Sequence, residues 1–289
     1  MDQSIIYDVA VIGAGVVGSA IARELAKYQL QCALLEAAPD VGMGTSKAST
    51  AIWHTGFDAT PGSLEAKLMR RSYPLLEAYV VEAGIPVERL GAILVAWTDE
   101  QYQSLPTLLA RAHQNGVTDV CLWSAAEIYQ HEPHLNPGAL GGLYVPGEGI
   151  LCTFTLPLAL ATQAVVNGVA LKLNFPVQQV TATPTGTWLV QGAGGSLECR
   201  YVINAAGLYS DEVDRLMGHQ GFTVKPRRGE LIVFDKLARG LVNHVLLPVP
   251  TATTKGVLVS PTVYGNILLG PTAEDLDDKE NTATRAAGL

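Results

Sequence analysis

The stretch DVAVIGAGVVGSAIARELAKYQLQCALLEA, residues 8–37, sets narrow limits on the fold. Its apolar run Val9 to Ile12 is too short for a helix and is closed by glycine, so it reads as a buried parallel strand. Val17 to Lys27 then repeats apolar residues at Val17, Ile21 and Leu25, a four-residue spacing that predicts one face of a helix. Gln31 to Leu35 reads as the next strand and ends at Glu36.

Between strand and helix lie Gly13, Gly15 and Gly18 in the order GxGxxG. Each glycine has its own physical task. Gly13 permits the tight turn, Gly15 lets the backbone approach a pyrophosphate, and Gly18 lets helix and strand pack closely. The helix start offers unpaired N–H groups and the positive end of a dipole to phosphate. Glu36 sits at the end of the second strand, where a carboxylate can bond ribose hydroxyls. The pattern predicts a dinucleotide site, and either FAD or NAD would satisfy it.

Two later segments favour FAD. Residues 41–58 continue as a long loop of glycine, serine and threonine instead of returning directly into another strand and helix. INAAGLYSDEV, residues 203–213, gives a second strand, glycine turn and helix far downstream.

Helical patterns are also predicted for Leu64 to Glu82, Asp99 to Gly116 and the stretch TLPLALATQAVVNGV. Gly91 to Trp97 reads as a strand. GELIVFD, HVLLPVP, GVLVSPTV and NILLGPT are four short apolar strands, predicted to form an antiparallel sheet. EDLDDKENTATRAAGL at the end has a helical look. This alternation predicts an α/β protein of two domains in discontinuous pieces. Residues 1–84, 148–215 and 272–289 would form a Rossmann-like, glutathione-reductase-type nucleotide-binding domain. Residues 85–147 and 216–271 would form an α+β substrate or cap domain on an antiparallel sheet.

Composition removes several function classes. With a net charge of −8 and no lysine or arginine run, the 289 residues carry no electrostatic footprint for nucleic acid. No apolar stretch approaches the roughly 20 residues of a membrane span, which leaves only peripheral membrane contact open. Cys32, Cys121, Cys152 and Cys199 form no CxxC pair and fall in stretches that read as buried strands or turns. They read as free thiols of a reducing cytoplasm, with no spacing for a metal site.

Taken together, YDVAVIGAGVVGSAIARELA, TSKASTAIWHTGFD, GEGIL, VINAAGLYSD, KPRRGEL and SPTVYGNILLGPTAED resemble the D-amino-acid-oxidase-like superfamily of FAD-dependent oxidoreductases. Within it, the likeness is greatest to glycerol-3-phosphate dehydrogenases and oxidases and to L-2-hydroxyglutarate oxidases. The resemblance implies that Ser46 and Ser49 donate hydroxyls to the cofactor. It also implies that Val177 meets the adenine and that Ala206 and Gly207 pass beneath the cofactor.

His54 would lie near the flavin, either as the base that takes an alcohol proton or as a covalent tether. Arg228, where relatives often carry lysine, would bind a small anionic substrate; Tyr264 is similarly placed. The implied reaction is hydride transfer to FAD from glycerol 3-phosphate or a 2-hydroxy acid, with an unidentified electron acceptor. An amine or amino-acid oxidase, and a flavin-binding chain without activity of its own, are the alternatives. Relatives continue beyond the equivalent of Leu289, so the chain reads as a fragment or a shortened member.

Overall fold

The computed structural model describes residues 5–250 and 256–288. It divides into two compact units. The first comprises Met1–Ser49, Thr153–Pro226 and Leu276–Glu280; the second comprises Thr50–Cys152, Arg227–Asp275 and Asn281–Leu289. Residues 50–84, expected beside the nucleotide-binding pieces, pack in the second unit. Strand Ile52–Trp53 is drawn there by pairing with Gly149–Leu151, which also pairs with Val87–Glu88.

In the first unit, strand Ile6–Ile12 lies between Gly195–Asn204 and Cys32–Leu35, all parallel, and Ala170–Lys172 extends the parallel run. Gly195–Asn204 is also the last strand of an antiparallel meander with Val177–Ala182 and Trp188–Gly192. Alternate side chains of a strand point to opposite faces, and here both faces are covered. Val9 and Val11 pack with Ala22, Leu34, Ala161 and Ala164 on one side. Ala10 and Ile12 pack with Phe175, Val180, Val190 and Val213 on the other. This is why the run is apolar without alternation.

The helix after the glycines runs Val16–Leu25 and buries Gly18, Ser19 and Ala22, whereas Val17 is exposed. The spacing of large apolar residues pointed to the wrong member of the buried face. Small residues hold it because a neighbouring backbone comes so close. A Cβ at Gly18 would stand 1.8 Å from the Gly13 carbonyl oxygen.

The second unit holds a seven-stranded sheet. Its order is Ile232–Phe234, Ile267–Gly270, Leu258–Pro261, Val245–Pro248, Ala92–Ala96, Gly141–Val145 and Cys121–Ser124. The four strands predicted near the end do pair antiparallel, but Val245–Pro248 joins Ala92–Ala96 in parallel, so the sheet is mixed. Helix Asp99–Gln114 packs Leu105, Leu108 and Ala112 on Leu94, Ala96, Leu143 and Val145. Thr98 caps that helix by accepting the Gln101 N–H at 3.3 Å.

Two further expectations are corrected. Residues 276–288 form turns and no helix, and Glu274–Asp275 pairs with Arg227–Arg228 as a short antiparallel ladder. Leu276 is the one large apolar residue from 272 to 288, so a helix there would have no face to bury. Cys121 is exposed on an edge strand, while Cys32, Cys152 and Cys199 are buried. Among the described residues, no helix is long and apolar enough to cross a membrane.

Candidate functional site

The glycine turn of the first unit is fixed by backbone geometry. Gly13 has φ +101° and donates its N–H to the Leu35 carbonyl at 2.7 Å. A Cβ there would stand 2.4 Å from the Ala205 carbonyl oxygen, so the turn from the first strand and the turn after Asn204 press together. Ala205 N–H donates to the Ile12 carbonyl at 2.8 Å and locks them side by side.

Gly15 caps the helix without a side chain of its own. The cap comes from Ser46, whose Oγ accepts the Val16 N–H at 2.9 Å. Ser46 lies in the 3₁₀ turn Thr45–Ala48, so the loop that carries it folds back over the helix start. Ser49 follows in extended conformation and is exposed.

The Glu36 carboxylate grips this turn from the strand side. Its oxygens accept the Ala14 N–H at 2.7 Å and the Ala38 N–H at 2.9 Å. Ala206 begins the 3₁₀ turn Gly207–Tyr209 and donates its N–H to Asn204 Oδ1 at 3.2 Å. Gly207 has φ +57° with open space where a Cβ would stand. Val177 opens the meander and packs half-buried against the Phe175 and Val180 core.

These residues fit a dinucleotide. Gly15 adds no side chain at a helix start that Ser46 approaches with its hydroxyl, Gly207 leaves open space at its turn, and Glu36 puts a carboxylate on the Ala14 N–H of the glycine turn.

The second unit contains a cluster of different chemistry. His54 follows strand Ile52–Trp53 and has both ring nitrogens against carboxylates. Nδ1 lies 2.8 Å from Glu148 Oε2, and Nε2 lies 2.9 Å from Asp58 Oδ1. The Phe57 ring meets the imidazole edge-on at 5.3 Å. Burial opposes a charge on the ring, but the bonds and charges of Asp58 and Glu148 outweigh it and raise the His54 pKa to about 10. At neutral pH the ring is an imidazolium that donates at both nitrogens.

Two further contacts hold this segment. The Asn115 carboxamide donates to the carbonyls of Gly56, Phe57 and Ala59 at 3.0, 3.2 and 2.8 Å. Trp53 stacks on Tyr73 at 4.9 Å, with the Arg89 guanidinium 4.8 Å from the indole centre.

Arg228 sits in the short ladder of the second unit. Its guanidinium donates to Glu274 Oε2 and to Asn281 Oδ1, each at 2.7 Å, and its buried Nε has no partner among the described residues. Tyr264 lies at the hairpin tip, with its hydroxyl 2.7 Å from the Cys152 thiol.

The family profile described as FAD dependent oxidoreductase, DAO, matches residues 8–288, nearly the whole chain. The chain belongs to the DAO family of FAD-dependent oxidoreductases.

Within this DAO family, the chain is 38% identical over 283 residues to a glycerol 3-phosphate dehydrogenase of Caloramator mitchellensis. That match takes in 98% of this chain and 59% of the relative's length. A glycerol 3-phosphate oxidase of Mycoplasma pneumoniae is 33% identical over 281 residues, covering 95% of this chain and 73% of that protein. Mitochondrial L-2-hydroxyglutarate dehydrogenase of Caenorhabditis elegans is 29% identical, covering 92% and 63%. Among solved structures, dithionite-reduced L-α-glycerophosphate oxidase from Mycoplasma pneumoniae with FAD bound superposes with a TM-score of 0.90. It is 32% identical and covers 96% of this chain and 73% of that one.

Sequence reasoning did not single out Asp58, Glu148, Thr55 or Asn115. Asp58 stands four residues after His54, a visible signal that a carboxylate could reach the ring. Glu148 lies between two glycines, Gly147 and Gly149, a weaker sign of close packing around it.

Proposed function

We propose that this chain carries the catalytic chemistry of a flavin-dependent oxidoreductase acting on a small anionic alcohol, either glycerol 3-phosphate or a 2-hydroxy acid. The observation that carries the reading is the His54 cluster, met five residues after Ser49 and downstream of a loop that caps a dinucleotide helix start. The 38% and 33% identities to proteins named for glycerol 3-phosphate favour that substrate class over an amine.

Bound FAD supplies the two-electron acceptor for the hydride leaving the substrate carbon. Gly13, Gly15 and Gly18 admit the diphosphate, Ser46 and Ser49 offer hydroxyls to it, and Glu36 binds the ribose. Val177 would meet the adenine, and Ala206 and Gly207 would let the backbone approach the cofactor. With the His54 ring already protonated at both nitrogens, the alcohol proton passes to the Asp58 carboxylate, which the Nε2–H of His54 holds in place. A covalent tether would first need one ring nitrogen freed from its carboxylate, whereas proton transfer to Asp58 leaves both ring contacts in place.

Arg228 is proposed to bind the substrate anion, supported by a buried Nε with no partner among the described residues. Glu274 is then the carboxylate an incoming anion displaces. A cytoplasmic location is proposed on the thiol state of Cys32, Cys121 and Cys199, with an electron acceptor of unassigned chemistry.

The test is the absorption spectrum of the purified protein, followed by anaerobic addition of glycerol 3-phosphate, L-2-hydroxyglutarate or glycine. Bleaching of the flavin band by one of the first two supports the reading. A protein that binds no FAD, or a flavin reduced by glycine alone, overturns it.

A further inference from the structure

Glu148 is completely buried, yet it is a carboxylate, and burying such a charge is costly unless its oxygens are paired. Three donors converge on it. Thr55 N–H and Thr55 Oγ1 both reach Oε1 at 2.6 Å, while His54 Nδ1 reaches Oε2 at 2.8 Å.

The backbone around Glu148 is built for this approach. A Cβ on Gly147 would stand 2.8 Å from the Thr55 methyl, and one on Gly149 would stand 2.8 Å from the Glu88 carbonyl oxygen. Neither position can carry a side chain without displacing a neighbour. The Glu148 carbonyl accepts the Gly91 N–H at 2.9 Å, and Gly149 pairs with Trp53 across the antiparallel ladder. The carboxylate therefore meets the histidine through a rigid frame.

The other end of the ring is different. Asp58 keeps some exposure, 13% against 0% for Glu148, and it lies on the same segment as His54. Glu148 and Asp58 are the charged groups that act on the imidazole, from the facing turn and from its own segment.

We propose that Glu148 is the positioning residue of His54: it holds the Nδ1 proton permanently and so confines proton exchange to Nε2 and Asp58. The assignment rests on the acid–base role given to the His54–Asp58 pair above. A ring held at Nδ1 presents Nε2 in one orientation, and on losing a proton it is left as one tautomer, the logic by which a buried carboxylate directs an imidazole. The exchangeable proton moves between the substrate hydroxyl and the Nε2–Asp58 end; the Nδ1–H bond to Glu148 is neither made nor broken.

The experiment is nitrogen NMR on protein labelled with ¹⁵N-histidine, with the His54 signal assigned by its loss in H54N. In the unmodified protein, the ring is expected to stay doubly protonated to about pH 9 and then to lose the Nε2 proton, leaving the Nδ1–H tautomer. E148Q is expected to lower the midpoint by more than one pH unit and to give a mixture of neutral tautomers. D58N is expected to lower the midpoint while the Nδ1–H tautomer persists. The contrast between the two variants is the signature of positioning, because a merely structural role would not separate tautomer from midpoint.

A neutral ring protonated at Nε2 in the unmodified protein overturns the proposal, and this holds even if E148Q does not fold. So does an E148Q spectrum that matches the unmodified one. Flavin reduction by glycerol 3-phosphate is measured separately, so the functional reading can fail without deciding the tautomer.

Discussion

Ser46 Oγ accepts the Val16 N–H at 2.9 Å, so a loop hydroxyl thirty residues downstream closes the start of the glycine-turn helix. A cap of this kind contributes about 0.5–2 kcal/mol. S46A should lower stability by about that amount in a denaturant titration and should weaken FAD binding as well. An unchanged FAD titration would remove Ser46 from the cofactor site and leave it as a helix cap.

Gly15 and Gly13 should fail differently. A Cβ at Gly15 meets only the Ser46 hydroxyl, at 3.1 Å, so G15A should fold with a circular dichroism spectrum like the parent. Its flavin content should fall at least tenfold, a change of about 1.4 kcal/mol or more. At Gly13 the added carbon meets a backbone carbonyl at 2.4 Å in a left-handed conformation, so G13A should yield little folded protein at all. Equal flavin content in G15A and the parent would contradict the phosphate role.

The His54 cluster makes stability fall on the alkaline side. The folded-state pKa, about 10, lies above the ordinary 6.5, so the protonated ring binds its carboxylates fully below pH 6.5. That contribution declines as the pH rises from 6.5 and is gone above about 10. Removing the ring strands a buried Glu148, and breaking a buried pair in this way costs about 3–5 kcal/mol. Melting curves of the parent and H54A between pH 6 and 10 should therefore converge as the pH rises.

On the acid side the first unit has its own sensitive pair. The Lys279 ammonium, 2.5 Å from Asp211, holds that carboxyl well below the usual carboxylate range, aided by the Val224 N–H and Arg215. The lowered pKa gives stability that is present above the ordinary value of 3.8 and is lost as the pH falls. K279M should shift acid unfolding to higher pH, as followed by tryptophan fluorescence.

Arg228 is tested through the substrate. R228M should raise KM for an anionic alcohol by about 10- to 150-fold, the range expected when one charge-assisted contact of about 1.5–3 kcal/mol is lost. The value of kcat should change less. An unchanged KM would make Arg228 only the ladder partner of Glu274.

The first unit was readable because backbone rules dominate it. A buried parallel strand must be apolar on both faces, and a turn between strand and helix must use glycine where a Cβ would strike a carbonyl. Val17 misled because burial there depends on the closeness of a neighbouring backbone, which large-residue spacing does not report.

The His54 cluster was half readable. His54 stood out by its surroundings in the chain, but Glu148 reaches it from 94 residues away, and pairing of two-residue and three-residue strands leaves almost no periodic signal. The parallel pairing of Ala92–Ala96 with Val245–Pro248 was hidden for a related reason: alternation reports which face is buried, not which strand lies alongside or in which direction.

That same pairing bears on how the protein is made. Strand Ala92–Ala96 occupies an interior place in the sheet of the second unit, yet one of its two neighbours is translated about 150 residues later. The first unit likewise waits for Gly195–Asn204 to flank its opening strand. Neither sheet can close while the ribosome is still producing the first half of the chain, so vectorial domain-by-domain folding is ruled out by topology. The interval leaves an apolar strand edge uncovered, and slow translation or scarce chaperone should cost yield before it costs stability.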